Sequence, residues 1–219
     1  MPVFDTTSFD TARLRLRPLA PVDAAALFAV FSDPEVMRYW SGPPWTSMQQ
    51  AHAYIEEAAQ DLLDGAMLRL GIEVAATGEL AGQATLRHFD KQNRRCEVGY
   101  ALGRSHWGKG YLGEALEALL AYGFAQLNLN RVEADVDPRN LASARLLLRQ
   151  SFRHEGLLRE RWIVAGEVCD TDFYGLLRSD WDKRASRQAP PAGAIEQVSQ
   201  CRRAANLLRG ADAAATTAC

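Results

Sequence analysis

Cysteine and histidine are scarce in this chain, with four of each among 219 residues. Cys96, Cys169, Cys201 and Cys219 are scattered, with no Cys-x-x-Cys pair and no histidine at ligand spacing. That distribution argues against a zinc site or a disulfide framework, so no metal is expected and the cysteines read as free thiols of a cytoplasmic protein. Long apolar runs are also missing, and the opening Met1-Pro2-Val3-Phe4-Asp5 has no signal-peptide pattern, so no membrane association is expected. Charge of one sign is not in excess either. A net charge of −2 offers no electrostatic footprint for nucleic acid. No internal repeat is visible. What remains, 47% hydrophobic and 24% charged residues, is the composition of an ordinary globular protein, long enough for one core and too short for two.

Glycine is concentrated where it is most informative, in Arg104-Ser105-His106-Trp107-Gly108-Lys109-Gly110-Tyr111-Leu112-Gly113-Glu114-Ala115. A strand-like run, Cys96 to Leu102, precedes it. Apolar residues at Leu112, Ala115, Leu116, Leu119 and Leu120 follow at helical spacing. The order is strand, glycine-rich turn, helix. Glycines let the backbone turn and approach a ligand closely, and the unpaired amides and dipole of a helix start favour phosphate. A connection without a ligand is the alternative, and the strand before and helix after weigh against it. The P-loop spacing is absent. Gly108, Gly110 and Gly113 do satisfy the dinucleotide spacing, but antiparallel-looking strands precede the turn where a βαβ unit would be needed.

Elsewhere, Arg13-Leu14-Arg15-Leu16-Arg17 alternates as a strand, and Ala24, Leu27, Phe28 and Phe31 share a helix face. Ser47-Met48-Gln49-Gln50 resembles a capping box before a second helix. Strands are expected at 68–75, 80–88, 132–136, 152–163 and 168–177, with a short helix over 140–150. This order predicts an α/β (α+β) fold with a mixed, mostly antiparallel sheet flanked by helices. Residues 1–181 are expected to form one domain and 182–219 a tail, flexible or partly helical around 201–208.

Trp107-Gly108-Lys109-Gly110-Tyr111 with Glu114-Ala115 resembles the acetyl-coenzyme A loop of GNAT-superfamily N-acetyltransferases, in particular the RimJ/RimL-like branch. Glu97-Val98-Gly99-Tyr100, the segment Asn128 to Ala134, and Asn140 to Leu147 with Phe152 and Glu155-Gly156 resemble the family's neighbouring elements in the same order. There are departures. Leu112 is bulkier than the usual residue, Leu147 stands where many relatives carry a tyrosine acid, and Ser151 replaces a glycine.

The resemblance implies a GNAT-like acyltransferase fold and direct attack of a primary amine on acetyl-coenzyme A. Trp107, Gly108, Lys109, Gly110, Tyr111, Leu112 and Gly113 would hold the pyrophosphate, the backbone at Leu102 the pantetheine arm, and Asn140 its amides. A strand amide would polarise the thioester carbonyl. Ser143 would stand near the sulfur as proton donor, while Asn140 also suits a helix N-cap. Glu97, on a face with the small residues Gly99 and Ala101, is the candidate general base; an ordinary edge-strand glutamate is the alternative. Among the histidines, His106 beside the loop reads as structural, and His52, His88 and His154 lack a supporting pattern. Trp40 and Trp45 fall where relatives wall the acceptor site, or pack between helices. No cysteine adjoins the loop with an activating base, so no covalent intermediate is expected.

Deprotonating an α-amine of pKa near 8 at neutral pH costs about 1.4 kcal/mol, against about 4.6 kcal/mol for lysine. The expected acceptor is therefore the α-amine of a protein N-terminus, a peptide or an amino acid. A small amine or antibiotic, or a catalytically silent coenzyme A-binding regulator, stays open, as does monomer against homodimer.

Overall fold

Leu14 and Leu16 are fully buried and Arg15 between them is exposed, and this alternation sets the second of eight strands in one sheet. The computed structural model describes Phe4 and residues 8–188. In chain order the elements are β1 (Phe9–Asp10), β2 (Leu14–Pro18), α1 (Ala24–Phe31), α2 (Pro34–Met37), α3 (Met48–Asp64), β3 (Leu68–Val74), β4 (Glu79–Asp90) and β5 (Arg95–Leu102). They continue with α4 (Tyr111–Ala125), β6 (Arg131–Val136), α5 (Leu141–Arg149), β7 (Arg153–Val164), β8 (Glu167–Leu177) and α6 (Arg178–Gln188). Packing divides the chain into Met1–Trp181, described below, and Asp182–Cys219. The expected helix at 201–208, with Cys201 and Cys219, lies outside the described residues.

The sheet order is β1-β2-β3-β4-β5-β6-β8-β7, antiparallel throughout except for the parallel pair β5–β6. This is the mixed, mostly antiparallel α/β arrangement expected. Leu116, Leu119 and Leu120 of α4 are fully buried in a core shared with Val98, Val132 and Leu147. Each such side chain contributes about 1.5–3 kcal/mol by leaving water. On the other face Leu27 and Phe31 of α1 meet Ala51 and Ile55 of α3, with Ala101 of β5. At the start of α3 the Gln50 side chain accepts from Ser47 N at 3.1 Å and Thr46 N at 2.7 Å, the reciprocal half of the expected capping box.

One irregularity positions the site. β5 and β6 pair only at Arg95↔Arg131, Cys96↔Val132 and Glu97↔Glu133. Beyond these rungs β5 stays with β4 as far as Gly82↔Leu102, while β6 stays with β8 as far as Val136↔Asp172. The sheet therefore opens into a V, and the facing edges of Val98 to Leu102 and Ala134 to Val136 share no ladder. Exposed edge amides and carbonyls of this kind are ready to bond an extended ligand.

Candidate active site

The glycine-rich turn stands at the end of β5. Gly108 and Gly110 adopt φ of 74° and 77°, left-handed backbone that glycine enters without strain. Gly110 is the N-cap of α4, and the first return bond runs from Glu114 N to Gly110 O at 3.3 Å. The amides of Tyr111, Leu112 and Gly113 are thus the donors at the helix mouth. A Cβ built on Gly108 would meet nothing within 4 Å, so open space borders the turn there.

The turn is pinned by residues far away in the chain. Glu114 accepts from Thr11 Oγ1 at 2.6 Å, Arg13 N at 2.8 Å and Arg13 Nε at 2.7 Å. Arg13 also donates to Lys109 O at 2.9 Å and lies over the Tyr111 ring at 5.1 Å, with Lys109 Nζ 5.9 Å from that ring. Burial would push the Glu114 carboxyl up, but the hydrogen bonds from Thr11 and Arg13 outweigh it and hold it below the usual carboxylate range. Gln150 Nε2 fixes Gly113 O at 2.8 Å, and the exposed Trp107 donates its indole N–H to Leu102 O at 2.6 Å. With that carbonyl engaged, the open edge left on β5 is Val98 to Ala101. Free helix-start amides, open glycine backbone and two cations form a donor set suited to a pyrophosphate.

The V itself is bridged near its opening. Tyr100 OH and Ser143 Oγ lie 2.7 Å apart, joining β5 to α5. Asn140 is the N-cap of α5, its Oδ1 accepting from Ser143 N at 3.1 Å, which leaves its amide NH₂ for other partners. Burial pushes the Tyr100 phenol up to about 12, with the Ser143 bond opposing the shift, so Tyr100 stays protonated at neutral pH. It can donate to Ser143 and leave the serine proton for a group in the V. If Ser143 serves as the proton donor that the family resemblance implies, Ser143→Ala should lower turnover about tenfold. The loss should be nearly constant from pH 6 to 9, because neither hydroxyl titrates there. Rates at the wild-type level in both Ser143→Ala and Tyr100→Phe would assign the proton to water.

A cavity opens beside the V, lined by Trp40, Val98, Tyr100, Asp135, Ser143 and Trp162 among others. Trp40 is in its wall. Trp45 is elsewhere, stacked on Phe31 with centroids 4.6 Å apart and against Tyr54 at 5.4 Å, in the packing between α1 and α3.

Glu97 also departs from expectation. It sits on the last rung shared with β6 and is not among the residues lining the cavity. Its Oε1 accepts from Arg87 Nε at 2.9 Å and from the second Arg87 nitrogen, and its Oε2 contacts His88 Nδ1 at 3.0 Å. The neighbouring small residues leave no room: Gly99 faces Thr85 Oγ1, 2.9 Å from where a Cβ would be, and Ala101 packs under α1. Among the other residues set aside, His106 is buried with Nε2 3.2 Å from Glu79. Burial drives the Cys96 thiol far up, which removes it as a nucleophile.

Three site features escaped the sequence reading. Arg13 as a brace of the turn, Tyr100 as partner of Ser143, and Asp135 in the cavity wall all depend on cross-strand or distant contacts. The only available hint was the acidic alternation Glu133, Asp135, Asp137 along β6. Among the described residues no cluster of three or more potential metal ligands occurs, and no helix is long and apolar enough to cross a membrane.

A model of the acetyltransferase (GNAT) domain matches residues 13–153. The chain is 42% identical over 171 residues to the uncharacterized N-acetyltransferase p20 of Bacillus licheniformis, covering 78% of this chain and 96% of that protein. The spermidine N-acetyltransferase of Vibrio cholerae, solved with CoA and spermine, is similar with a TM-score of 0.69 and 25% identity, over 78% of this chain and 99% of that one. RimL, a ribosomal L7/L12 α-N-protein acetyltransferase, gives a TM-score of 0.71 at 19% identity over 78% and 94%, a likeness of fold alone.

Proposed function

Because the chain belongs to the GNAT acetyltransferase family, and is an N-acetyltransferase using acetyl-coenzyme A, we propose that its acceptor is a single α-amine, on a protein N-terminus, a peptide or an amino acid. Proteins of this fold serve both polyamines and protein N-termini, so the choice rests on this chain's own cavity. The observation that carries it is the pairing of the cavity's charges. Of four carboxylates in its lining, Asp137 and Glu167 are tied to Arg139 at 2.6 and 2.9 Å, and Asp170 accepts from Glu160 N at 2.8 Å. Asp135 alone of the four has both oxygens buried without a hydrogen-bond partner. One carboxylate with both oxygens lacking a hydrogen-bond partner matches one ammonium group, whereas a polyamine presents several along its length. Arg38, over Tyr39 at 5.3 Å, adds a positive charge to the same lining, while that of Arg139 is taken up by Asp137 and Glu167. Trp40 and Trp162 offer apolar surface to the acceptor's skeleton.

In this reading the helix-start amides of α4 and the Arg13-braced turn hold the pyrophosphate, the open edge of β5 aligns the thioester, and the amine enters from the cavity side. Proximity and orientation supply much of the acceleration. Competition between an alanyl- or seryl-peptide with a free N-terminus, its N-acetylated lysine-containing counterpart, and spermidine is the test. The free N-terminus should win by at least about tenfold, since a lysine costs about 3 kcal/mol more to deprotonate. Preference for spermidine or lysine would overturn the acceptor assignment and leave the family membership intact.

A further inference from the structure

We propose that Asp135 receives the acceptor's ammonium group and takes its proton, acting as the general base of the transfer. The proposal rests on the acetyltransferase reading and assigns the proton-handling residue within it.

Three acidic residues alternate on one face at the end of β6, and two of them are spoken for. Glu133 accepts from Arg131 and Arg95, each at 2.7 Å, and Asp137 is held by Arg139. Asp135, between them, has a side chain only 6% exposed and neither oxygen hydrogen-bonded. Its closest cation is Arg161 of β7 at 3.8 Å, outside hydrogen-bond range and itself half exposed. Arg87 of β4, across the V, is engaged by Glu97 of β5. A buried carboxylate with its lone pairs vacant is costly, so a fold keeps one mainly where something else fills the space. Asp135 is among the residues lining the cavity beside the open edge of β5.

The electrostatics agree with the geometry. Burial pushes the Asp135 carboxyl up and Glu97 adds to the shift, while Arg161 and Arg87 oppose it and Glu133 reinforces it. A raised value narrows the gap to an α-amine and makes the carboxylate a better proton acceptor. In the free enzyme the same shift costs stability. The folded state binds the proton more tightly than the unfolded one, so stability falls as pH rises from the unfolded pKa through the folded one. An incoming ammonium relieves that cost.

The step balances. The ammonium gives one proton to the Asp135 carboxylate, and the freed nitrogen lone pair forms the C–N bond at the thioester carbonyl carbon as the C=O π pair moves to oxygen. When that pair returns, the C–S bond breaks and its electrons leave on sulfur. The remaining surplus proton on nitrogen passes to the thiolate, by way of Ser143 or water, giving amide and thiol. Asp135 then releases its proton to solvent.

Asp135→Asn in the full chain tests this, assayed by thiol release from acetyl-coenzyme A with the alanyl-peptide, a free aromatic amino acid and spermidine as acceptors. Turnover at pH 7 should fall about 100-fold or more, and the deficit should shrink toward pH 9 as free amine accumulates. Calorimetry should find acetyl-coenzyme A affinity retained. Tm should hold or rise by about 2–4 °C, because a buried charge without hydrogen bonds, offset only by Arg161 at 3.8 Å, is gone. Asp135→Glu, which keeps the carboxylate, should recover part of the rate. Full activity in Asp135→Asn, a deficit independent of pH, or a lowered Tm would each overturn the assignment. A wild type that releases no thiol with any of these amines would instead overturn the α-amine acceptor reading, and this proposal with it.

Discussion

Gly82→Ala is expected to cost about 3 kcal/mol of stability, the upper part of the range for overpacking a filled interior. For a domain of this size that is a fall in Tm of about 6–12 °C, readable by calorimetry or circular dichroism. Gly82 lies in β4 opposite Leu102, the last rung that β4 shares with β5. A Cβ there would stand 2.2 Å from Ala101 O and 2.8 Å from Leu102 Cα, and these are main-chain atoms that cannot swing aside. Relief requires β5 to move away from β4, and β5 carries the edge proposed to align the thioester. The variant should therefore lose activity beyond its loss of folded protein, with the excess appearing in KM for acetyl-coenzyme A. Gly42 provides the comparison, since a Cβ there meets nothing within 4 Å and Gly42→Ala should leave Tm within about 1 °C. A Gly82→Ala protein with the wild-type Tm would show that the β4–β5 contact is looser than its geometry indicates.

Features that repeat along the chain were legible, and features made by meeting of distant segments were not. The alternation of Leu14 and Leu16, the spacing of Leu116, Leu119 and Leu120, and the cap at Ser47 are local, so strand, helix and helix start could be read directly. The turn at Gly108 and Gly110 was legible for the same reason: left-handed backbone demands particular residues. Glu97 shows where such reading stops. Its face on β5 follows from its position, but Arg87, ten residues away across a hairpin, decides whether its carboxylate is free. Gly99 and Ala101 beside it looked like open space only because Thr85 and the α1 side chains were out of view. Asp135 is the converse. It looks like its neighbours Glu133 and Asp137 in the sequence, and it differs only because their arginines, Arg95, Arg131 and Arg139, do not reach it. The V between β5 and β6 has no local signature at all, since it arises from each strand keeping faith with its other neighbour.

Gly110→Val should weaken acetyl-coenzyme A binding at least about 100-fold, which is about 2.7 kcal/mol of binding free energy. Two effects combine. Valine is β-branched, and holding it at the φ of 77° found for Gly110 is a conformation such residues avoid, at a cost of about 1–2 kcal/mol or more. A Cβ at this site also lies 3.5 Å from a terminal nitrogen of Arg13, so the added methyls press on the guanidinium that ties Lys109 O and Glu114 together. Either the turn rearranges or the brace loosens, and both move the amides of Tyr111, Leu112 and Gly113 out of register with a pyrophosphate. Losing one or two charge-assisted bonds at about 1.5–3 kcal/mol each accounts for the predicted change. Gly110→Asn separates the causes, because asparagine tolerates left-handed backbone and its side chain adds bulk without branching at Cβ. It should keep the wild-type Tm and bind acetyl-coenzyme A better than the valine variant. Calorimetric titration of both proteins, checked for folding beforehand, decides the matter. Wild-type affinity in folded Gly110→Val would place the pyrophosphate away from this turn.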